Sequence, residues 1–543
     1  MQTIDLLWWD ASPPPWEFGG ASRLPSDLPA ASAHLEAAAA STSASWLLLW
    51  DPARPLPESD VLEALTTGRA DAWHAGLAAG LGGLPEEHDY IHPVWPLARD
   101  AGADVEAVSW RIDLGTLLVR TEVIRTLGSL DLAFDGRAGA GLELGRRLID
   151  HGGVVFHTPQ LVADGRLPAE PLTEHDRFVF LRRTFQPKWV QYASVRRALA
   201  HGRPRKVAAA YRSSGVRTAA HPRPAGSAPV VSRPEAALPD RPSISVVMPT
   251  LGRYELVAGV LAELAKQTIA PTQVVVVDQN DRKDRDPGVY DAFRDVLPLE
   301  VVFQDERGQW ISRNEAVRRT TGDLIAFVDD DSSIVPDFLE RHLEGLVRYD
   351  ADLTTGASLA VVGAPVPESY AFFRVADQWD SGNGMCRRTL FERFGLFDEQ
   401  FDRQRRGDAE FGLRVQLGGG LVVHVPGAIR THLKAESGGL RTYGSWDGFR
   451  SRDRSGPLPL PSMRYYTSRY HTPRQAREDL LIGVSQAIVP YELKRRATPR
   501  QWAGFVATEL VHIPSTLRRL RRSRLEAARM TAEGPRIDDL EPR

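Results

Sequence analysis

The sequence predicts an α/β protein with two α/β domains in tandem and a helical C-terminal extension. Three observations carry this. Short apolar runs that end in polar residues recur, as in SISVVMP from Ser243, QVVVVDQND from Gln273 and DLIAFVDDD from Asp323. Stretches of helical spacing such as ELVAGVLAELAKQ separate them, and strand–helix–strand alternation argues a parallel sheet covered by helices on both faces. A stretch rich in Pro, Ser, Ala and Arg between Ser213 and Pro242 suits an extended linker.

In chain order, residues 1–165 alternate apolar runs with helical stretches, as one α/β domain would. Residues 166–242 begin as basic amphipathic helix (RFVFLRRTF, KWVQYASVRRALA) and pass into the linker. Residues 243–450 form the second α/β domain, and residues 451–543 are Arg-rich and mostly helical. The 543 residues leave ample chain for a core in each domain.

Composition narrows the function classes. A formal charge of −3 and a pI near 6.6 give no basic surplus of the kind nucleic acid selects. Cys386 is the one cysteine, which excludes an intrachain disulfide and a cysteine-rich zinc site and fits a reducing compartment. The N-terminus MQTIDLLWWDASPPP lacks the basic and apolar regions of a secretory leader, and no apolar run reaches eighteen residues. The expected location is cytoplasmic. Near the other end, STLRRLRRSRLEAARM crowds Arg518, Arg519, Arg521, Arg522 and Arg524 into one short helix-like stretch, a composition that suits peripheral contact with the inner face of a membrane.

Ligands of open α/β sheets bind beyond the carboxyl ends of the strands. Three such ends carry polar groups here: Pro249 and Thr250, then Asp278, then Asp329-Asp330-Asp331. Asp329 and Asp331 form a D-x-D pair able to ligate a hard cation, Mn²⁺ or Mg²⁺, together with substrate phosphates.

The stretch from Ser243 to about Phe449 resembles a family 2 glycosyltransferase of the GT-A fold. The resemblance lies in SVVMPTLGR, VVVVDQND, RNEAVRRTTGDLIAFVDDD, WDSGNGMCRRTLFERFGLFDEQFD and GDAEFGLRVQLGGGLVVHVPGA, which occur in the family's order. It implies a metal-dependent, inverting transfer from a nucleotide-sugar donor, with a UDP-sugar foremost, to a glycan or lipid-linked acceptor in envelope polysaccharide synthesis. By the same resemblance Pro249, Thr250 and Asp278 hold the nucleoside, while Arg313 and Asn314 meet ribose or phosphates. Asp329 and Asp330 contact the donor, and Asp329, Asp331 and His432 form the metal site. Asp408 stands where the family has its catalytic base, in Gly407-Asp408-Ala409-Glu410; the family's usual Glu-Asp-x-Asp lacks its first acid here. Trp379, Asp380 and Glu410 are candidates for the acceptor side, with Trp379 either a sugar-stacking platform or a core residue. His424 and Cys386 read as structural.

The chemistry asks for these groups independently. A cation stabilises charge developing on a departing diphosphate. One carboxylate beside the acceptor hydroxyl can take its proton.

The first domain repeats the second in degraded form. WRIDLGTLLVRTEVIRTLGSLDLAFD from Trp110 parallels WDSGNGMCRRTLFERFGLFDEQFD from Trp379, and SWLLLWDPARP parallels DLIAFVDDDSS. Asp51 aligns with Asp329, but Pro52 and Ala53 replace the next two aspartates, and Gly141 falls opposite Asp408. The expected role is non-catalytic: acceptor binding, dimerisation or support. Two other readings are a silent nucleotide-sugar or glycan-binding scaffold and a nucleotidyltransferase. The latter matches poorly, because MPTLGRYEL lacks its glycine-rich, arginine-containing loop.

Overall fold

The computed structural model describes residues 3–81, 84–162, 171–215, 233, 238–360, 364–433, 456–489, 493 and 498–541. Most of the expected linker therefore lies outside the described residues.

The first domain runs β1 (Ile4–Trp9), β2 (Ala21–Leu24), α1 (Leu28–Ser41), β3 (Trp46–Trp50), α2 (Ser59–Thr67), β4 (Ala72–His74), α3 (Glu86–Asp89), β5 (Ala107–Val108), β6 (Thr116–Arg120), α4 (Thr121–Leu127), α5 (Arg137–Asp150) and β7 (Val155–His157). The predicted basic helical segment resolves into three helices, α6 (Glu174–Thr184), α7 (Pro187–His201) and α8 (Pro204–Ser213). Prolines set the start of two of them, where the missing N–H costs nothing.

The second domain comprises β8 (Ile244–Thr250), α9 (Tyr254–Leu264), β9 (Gln273–Asp278), α10 (Gly288–Asp291), β10 (Leu299–Phe303), α11 (Gln309–Arg319), β11 (Leu324–Val328), β12 (Ser332–Ile334), α12 (Phe338–Tyr349), β13 (Leu353–Leu359), β14 (Arg374–Val375), β15 (Asn383–Arg387), α13 (Thr389–Phe394), α14 (Gly407–Leu417) and β16 (Val422–His432). Helices α15 (Pro461–Tyr470), α16 (Pro473–Ile488) and α17 (Pro499–Glu533) follow. Among the described residues no helix is long and apolar enough to cross a membrane.

The second sheet has the order β10-β9-β8-β11-β15-β13-β16-β12, with β14 paired to β16. Its first four strands are parallel, but β15 enters antiparallel to β11, so the sheet is mixed where the sequence predicted a parallel one. Both faces are buried, as the continuous apolar runs required. Val246, Met248, Val274 and Val276 join one core with Val257 of α9 and Leu339 of α12. Val247, Val275 and Val277 face the other way, into a core with Trp310 and Ala316 of α11 and Phe411 of α14.

The first sheet has the order β2-β1-β3-β6-β4-β7-β5. From β9 through β14 the second sheet repeats this order strand for strand, with β6 and β15 both entering antiparallel. An offset of 267 residues carries β5 onto β14 and β6 onto β15. The glycines that end α4 and α13, Gly128 and Gly395, both adopt positive φ, 82° and 74°. Among the described residues, no strand of the first sheet corresponds to β10 or β12.

The two domains meet over a polar seam. Arg69 pairs with Asp352 (2.8 Å) and donates to the Gly419 carbonyl, while Trp95 Nε1 donates to Asp377 Oδ2 (3.1 Å). Asp89 of α3 accepts from Gln475 (3.0 Å) and pairs with Arg474, both of α16.

Candidate active site

The carboxyl ends of β8, β9 and β11 converge, as parallel pairing of these three strands requires. β11 delivers Asp329, Asp330 and Asp331 there; β12 and β16 pair antiparallel behind them, with Ser332 opposite His432.

Each aspartate of the triplet has its own surroundings. Asp330 is buried; Thr250 Oγ1 donates to its Oδ2 (2.8 Å) and Arg253 Nη1 to its Oδ1 (2.9 Å). Burial pushes its carboxyl up to about 6, against the opposing pull of Arg253. Asp331 is equally buried, but there the balance reverses. Burial pushes its carboxyl up, and a hydrogen bond from His432 together with the charges of His432 and Arg253 holds it below the usual range. His432 Nε2 lies 3.2 Å from Asp331 Oδ2, and Arg253 Nη1 lies 3.0 Å from the same oxygen.

Asp329 faces arginine on both sides. Arg313 of α11 bonds its Oδ1, and Arg430 of β16 bonds its Oδ2 (2.9 Å). The buried Arg430 also reaches Asp380 (3.3 Å) and lies 3.8 Å from Asp331. Gly382 makes this approach possible, since a Cβ there would stand 1.9 Å from Arg430 Nη1 and 2.3 Å from Asp329 Oδ2.

Asp408 occupies the first turn of α14 and is partly exposed. Burial and the neighbouring charge of Asp380 push its carboxyl above the ordinary range. Arg406, just before the helix, takes φ +78°, a conformation few non-glycine residues adopt. Gly407 leaves no room for a side chain: a Cβ would stand 2.2 Å from Cε2 of Trp310. The missing acid of the expected Glu-Asp-x-Asp is therefore replaced by an indole on the facing helix.

Several expected contacts are corrected by the geometry. Asn314 is fully buried; its Nδ2 donates to the Phe397 carbonyl and to Glu399, and its Oδ1 accepts from Phe397 N–H. It clamps the 397–399 turn and has no group left for a donor. Asp278 is likewise sealed in, accepting from Tyr254 (2.7 Å), Tyr290 (2.9 Å) and both nitrogens of Asn280. Its carboxylate fixes the two phenols and does not face an open site. Trp379 is a core residue: it has no exposed surface and lies parallel to the Phe397 ring at 5.7 Å. Glu410 is buried and bound by Arg414 (3.0 Å), Arg469 (3.3 Å) and the Tyr470 hydroxyl (2.5 Å), which excludes an acceptor-binding role. Pro249 is a buried strand residue opposite Val277. His424 accepts a structural place beside the Tyr370 carbonyl (3.0 Å), and Cys386 is buried in β15.

Asp331, His432, Thr250, Asp330, Arg313, Asp380 and Asp408 thus remain around one site. Sequence reasoning missed Arg253 and Arg430. Arg253 closes the quoted SVVMPTLGR run, where its position was the signal; Arg430 sits two residues before His432 in a strand, so the period of two puts both on one face.

A divalent cation fits part of the expected ligand set. Asp331 Oδ2 and His432 Nε2 are close enough to share one, and a hard cation commonly takes one or two protein ligands with phosphates completing its shell. Asp329, the third expected ligand, has both oxygens bonded by arginines in this arrangement. Among the described residues, Asp135, His175 and Asp176 bring their ligand atoms within 4.8 Å of one another. Both ring nitrogens of His175 are already engaged, by Ser213 and the Ala133 carbonyl.

The positions of the first domain that the sequence comparison sets opposite Asp329 and Asp408 are differently arranged. Asp51 at the end of β3 pairs with Arg137 (3.5 Å). At Gly141, the position opposite Asp408, a Cβ would stand 2.4 Å from the Ile112 carbonyl oxygen, so α5 packs too closely on that loop to present any side chain.

Residues 245–394 match the model of glycosyl transferase family 2. The chain is 26% identical over 184 residues to the uncharacterized glycosyltransferase YwdF of Bacillus subtilis, covering 32% of this chain and 67% of that protein. It is 33% identical over 128 residues to the glucosyl-dolichyl phosphate glucuronosyltransferase of Haloferax volcanii, covering 23% of this chain and 39% of that one. Among solved structures, TarS of S. aureus in complex with UDP-GlcNAc is 19% identical, with a TM-score of 0.37 over 52% of this chain and 81% of that one.

Proposed function

We infer that this chain, which carries a family 2 glycosyltransferase domain of the GT-A fold over residues 245–394, is a metal-dependent, inverting transferase. It moves a sugar from a nucleotide diphosphate, UDP foremost, to a glycan or lipid-linked acceptor of the cell envelope.

The observation that carries the reading is the charge balance around Asp408. Five carboxylates (Asp329, Asp330, Asp331, Asp380 and Asp408) face four guanidiniums (Arg253, Arg313, Arg406 and Arg430). A diphosphate entering this site meets an excess of negative charge, which a divalent cation beside Asp331 and His432 offsets. When bound, that cation stabilises the departing diphosphate as a Lewis acid.

The chain's own groups do the rest. Arg253 locks Asp330 and Asp331 in place through one nitrogen, and Thr250 fixes the far side of Asp330. Arg313 and Arg430 hold Asp329 and, with Gly382, the floor of the site. Asp408 accepts the acceptor's hydroxyl proton as the new C–O bond forms and the anomeric carbon–diphosphate bond breaks. Its raised carboxyl brings its basicity nearer neutral pH, where a general base works best. Attack opposite the diphosphate inverts the anomeric centre.

The first domain we read as a degenerate copy that walls the acceptor side. Its support is the shared strand order and the seam at Trp95, whose indole bonds Asp377 while the exposed His92 ring lies parallel on it at 5.9 Å.

The test is thermal denaturation of the full chain with UDP-, dTDP- and GDP-sugars, each with Mn²⁺ and with EDTA. A ligand that binds only the folded state raises its stability. A metal-dependent rise with one nucleotide class is expected; no rise with any nucleotide at saturation overturns the donor assignment.

A further inference from the structure

Helix α17 spans 35 residues, and its two halves behave differently. The C-terminal half is docked. Ser523, Ala527 and Met530 are buried, Ser523 Oγ accepts from Arg464 of α15 (3.0 Å), and the Gly534 carbonyl just past the helix accepts from Gln400 (2.9 Å). The N-terminal half begins at a full capping box between Thr498 and Gln501, so its helical start is written locally. From there to Leu517 no described residue of it is buried.

That free half is amphipathic. Trp502, Val506, Leu510, Ile513 and Leu517 are exposed to 39, 50, 60, 46 and 59%. Their spacing of four, four, three and four residues places them on one stripe, about 80° wide at 100° per residue. Gly504, Thr508 and Ser515 lie on the opposite side, where the exposed Val511 is the one large apolar residue among those described. A stripe of five large apolar residues left in water is costly and marks a contact surface.

The charge around the stripe identifies its occupant. Residues 498–526 carry Arg500, Arg518, Arg519, Arg521, Arg522 and Arg524 against Glu509 and Glu526; Arg522 pairs with Glu526 (2.7 Å) and Arg519 donates to the Gly456 carbonyl (2.8 Å), which leaves a basic surplus in a chain whose net charge is −3. Basic residues flanking an apolar stripe with a tryptophan at one end complement an anionic lipid surface. Two copies of this helix laid stripe to stripe would instead bring their arginines together.

We propose that the N-terminal half of α17 lies in the interface of an anionic membrane, with Trp502, Val506, Leu510, Ile513 and Leu517 among the acyl chains and the arginines at the headgroups. Because the other half of the same helix is bonded to Gln400, in the loop that leads to α14, the contact sets the orientation of Asp408 relative to the membrane. A lipid-linked acceptor would present its sugar there; that purpose rests on the transferase reading, whereas the membrane contact itself does not.

The test is flotation of the full chain with vesicles of phosphatidylcholine alone and of phosphatidylcholine with phosphatidylglycerol. The chain is expected to float with the anionic vesicles and to be released from them by high salt. The triple variant Val506→Ser, Leu510→Ser, Ile513→Ser should lose binding by about tenfold or more, as should Arg518→Glu combined with Arg521→Glu. All these positions are exposed, so unchanged melting temperatures are expected and show that folding is intact. Asp408→Asn should float like the unmodified chain, which separates this contact from the catalytic assignment. A chain that stays unbound to anionic vesicles, or a triple variant that still floats, overturns the proposal. A concentration-dependent dimer abolished by the triple variant would overturn it in favour of a second copy.

Discussion

The indole of Trp310 lies against Gly407 so closely that a Cβ on the glycine would stand 2.2 Å from Cε2. Trp310 is itself nearly buried and packs on Phe397 at 5.1 Å, so it has little freedom to withdraw. A hydrophobic wall thus stands directly beside Asp408.

Gly407→Ala is therefore expected to destabilise the protein by about 1–3 kcal/mol, the usual cost of overpacking a filled site. Gly407→Glu, which supplies the first acid of the expected Glu-Asp-x-Asp, should cost more. Urea unfolding measures this. Adding Trp310→Ala should relieve the clash, so the double variant should be less destabilised than the two single effects summed. Strict additivity would mean that the two residues do not meet.

Asp408→Asn keeps the shape of the side chain and removes its basicity. Loss of a general base is expected to lower turnover by about 10²–10⁴-fold. Donor binding, which rests on the β8 and β11 strand ends, should change little. The check is single-turnover transfer beside donor titration; full activity in the variant removes Asp408 from the role.

How far the sequence reached depends on what each residue answers to. The β11 run LIAFV and its three aspartates were legible because strand and site are adjacent in the chain. Asn314 and Asp278 belong to the same recognisable motifs, yet their partners, Phe397 and Tyr290, lie 83 and 12 residues away and seal them in. Motif position reports which strand end a residue occupies, not which way its oxygens point. Trp379 shows the same limit: one tryptophan can stack on a sugar or on Phe397, and only packing distinguishes them. Gly128 and Gly395, which the sequence comparison sets opposite each other, both end a helix with positive φ, a conformation that favours glycine. The mixed sheet was not legible, because β15 reads like any buried strand and nothing local marks its direction.

Asp330 predicts a pH dependence. Its folded carboxyl sits at about 6 against an ordinary 3.8, so the folded state holds the proton more tightly than the unfolded chain. Ionising it opposes folding. Stability contributed by this group is greatest below 3.8, falls as pH rises towards 6, and stays lost above it, by roughly 3 kcal/mol for about two pH units. Asp402 and Asp479 are pushed to about 6 as well, chiefly by burial, and add slopes of the same sign. The measurement is thus a difference: Asp330→Asn should flatten the unfolding free energy between pH 4 and 6 relative to the unmodified chain. An identical profile would show that Arg253 and Thr250 already cancel the burial.

The metal assignment yields the sharpest division between neighbouring carboxylates. Asp331 carries both Arg253 and His432 on one oxygen, Oδ2, and keeps its Oδ1 3.8 Å from Arg430, whereas Asp329 has an arginine on each oxygen. Asp331→Ala should abolish the Mn²⁺-dependent part of the thermal rise with nucleotide and also lower the melting temperature without ligand, because Asp331 is buried beside Arg253. His432→Ala should abolish the same part and leave that melting temperature nearly unchanged, His432 being partly exposed. Asp329→Ala should do the reverse. It leaves the buried Arg430 short of one anion, and breaking a buried pair from one side costs about 3–5 kcal/mol, discounted here because Asp380 remains beside it. The apo protein should melt earlier, and the metal should still raise what folded protein remains. Equal loss of the metal response in Asp329→Ala and Asp331→Ala would place both aspartates on the cation and would require Arg430 to move aside when the donor binds.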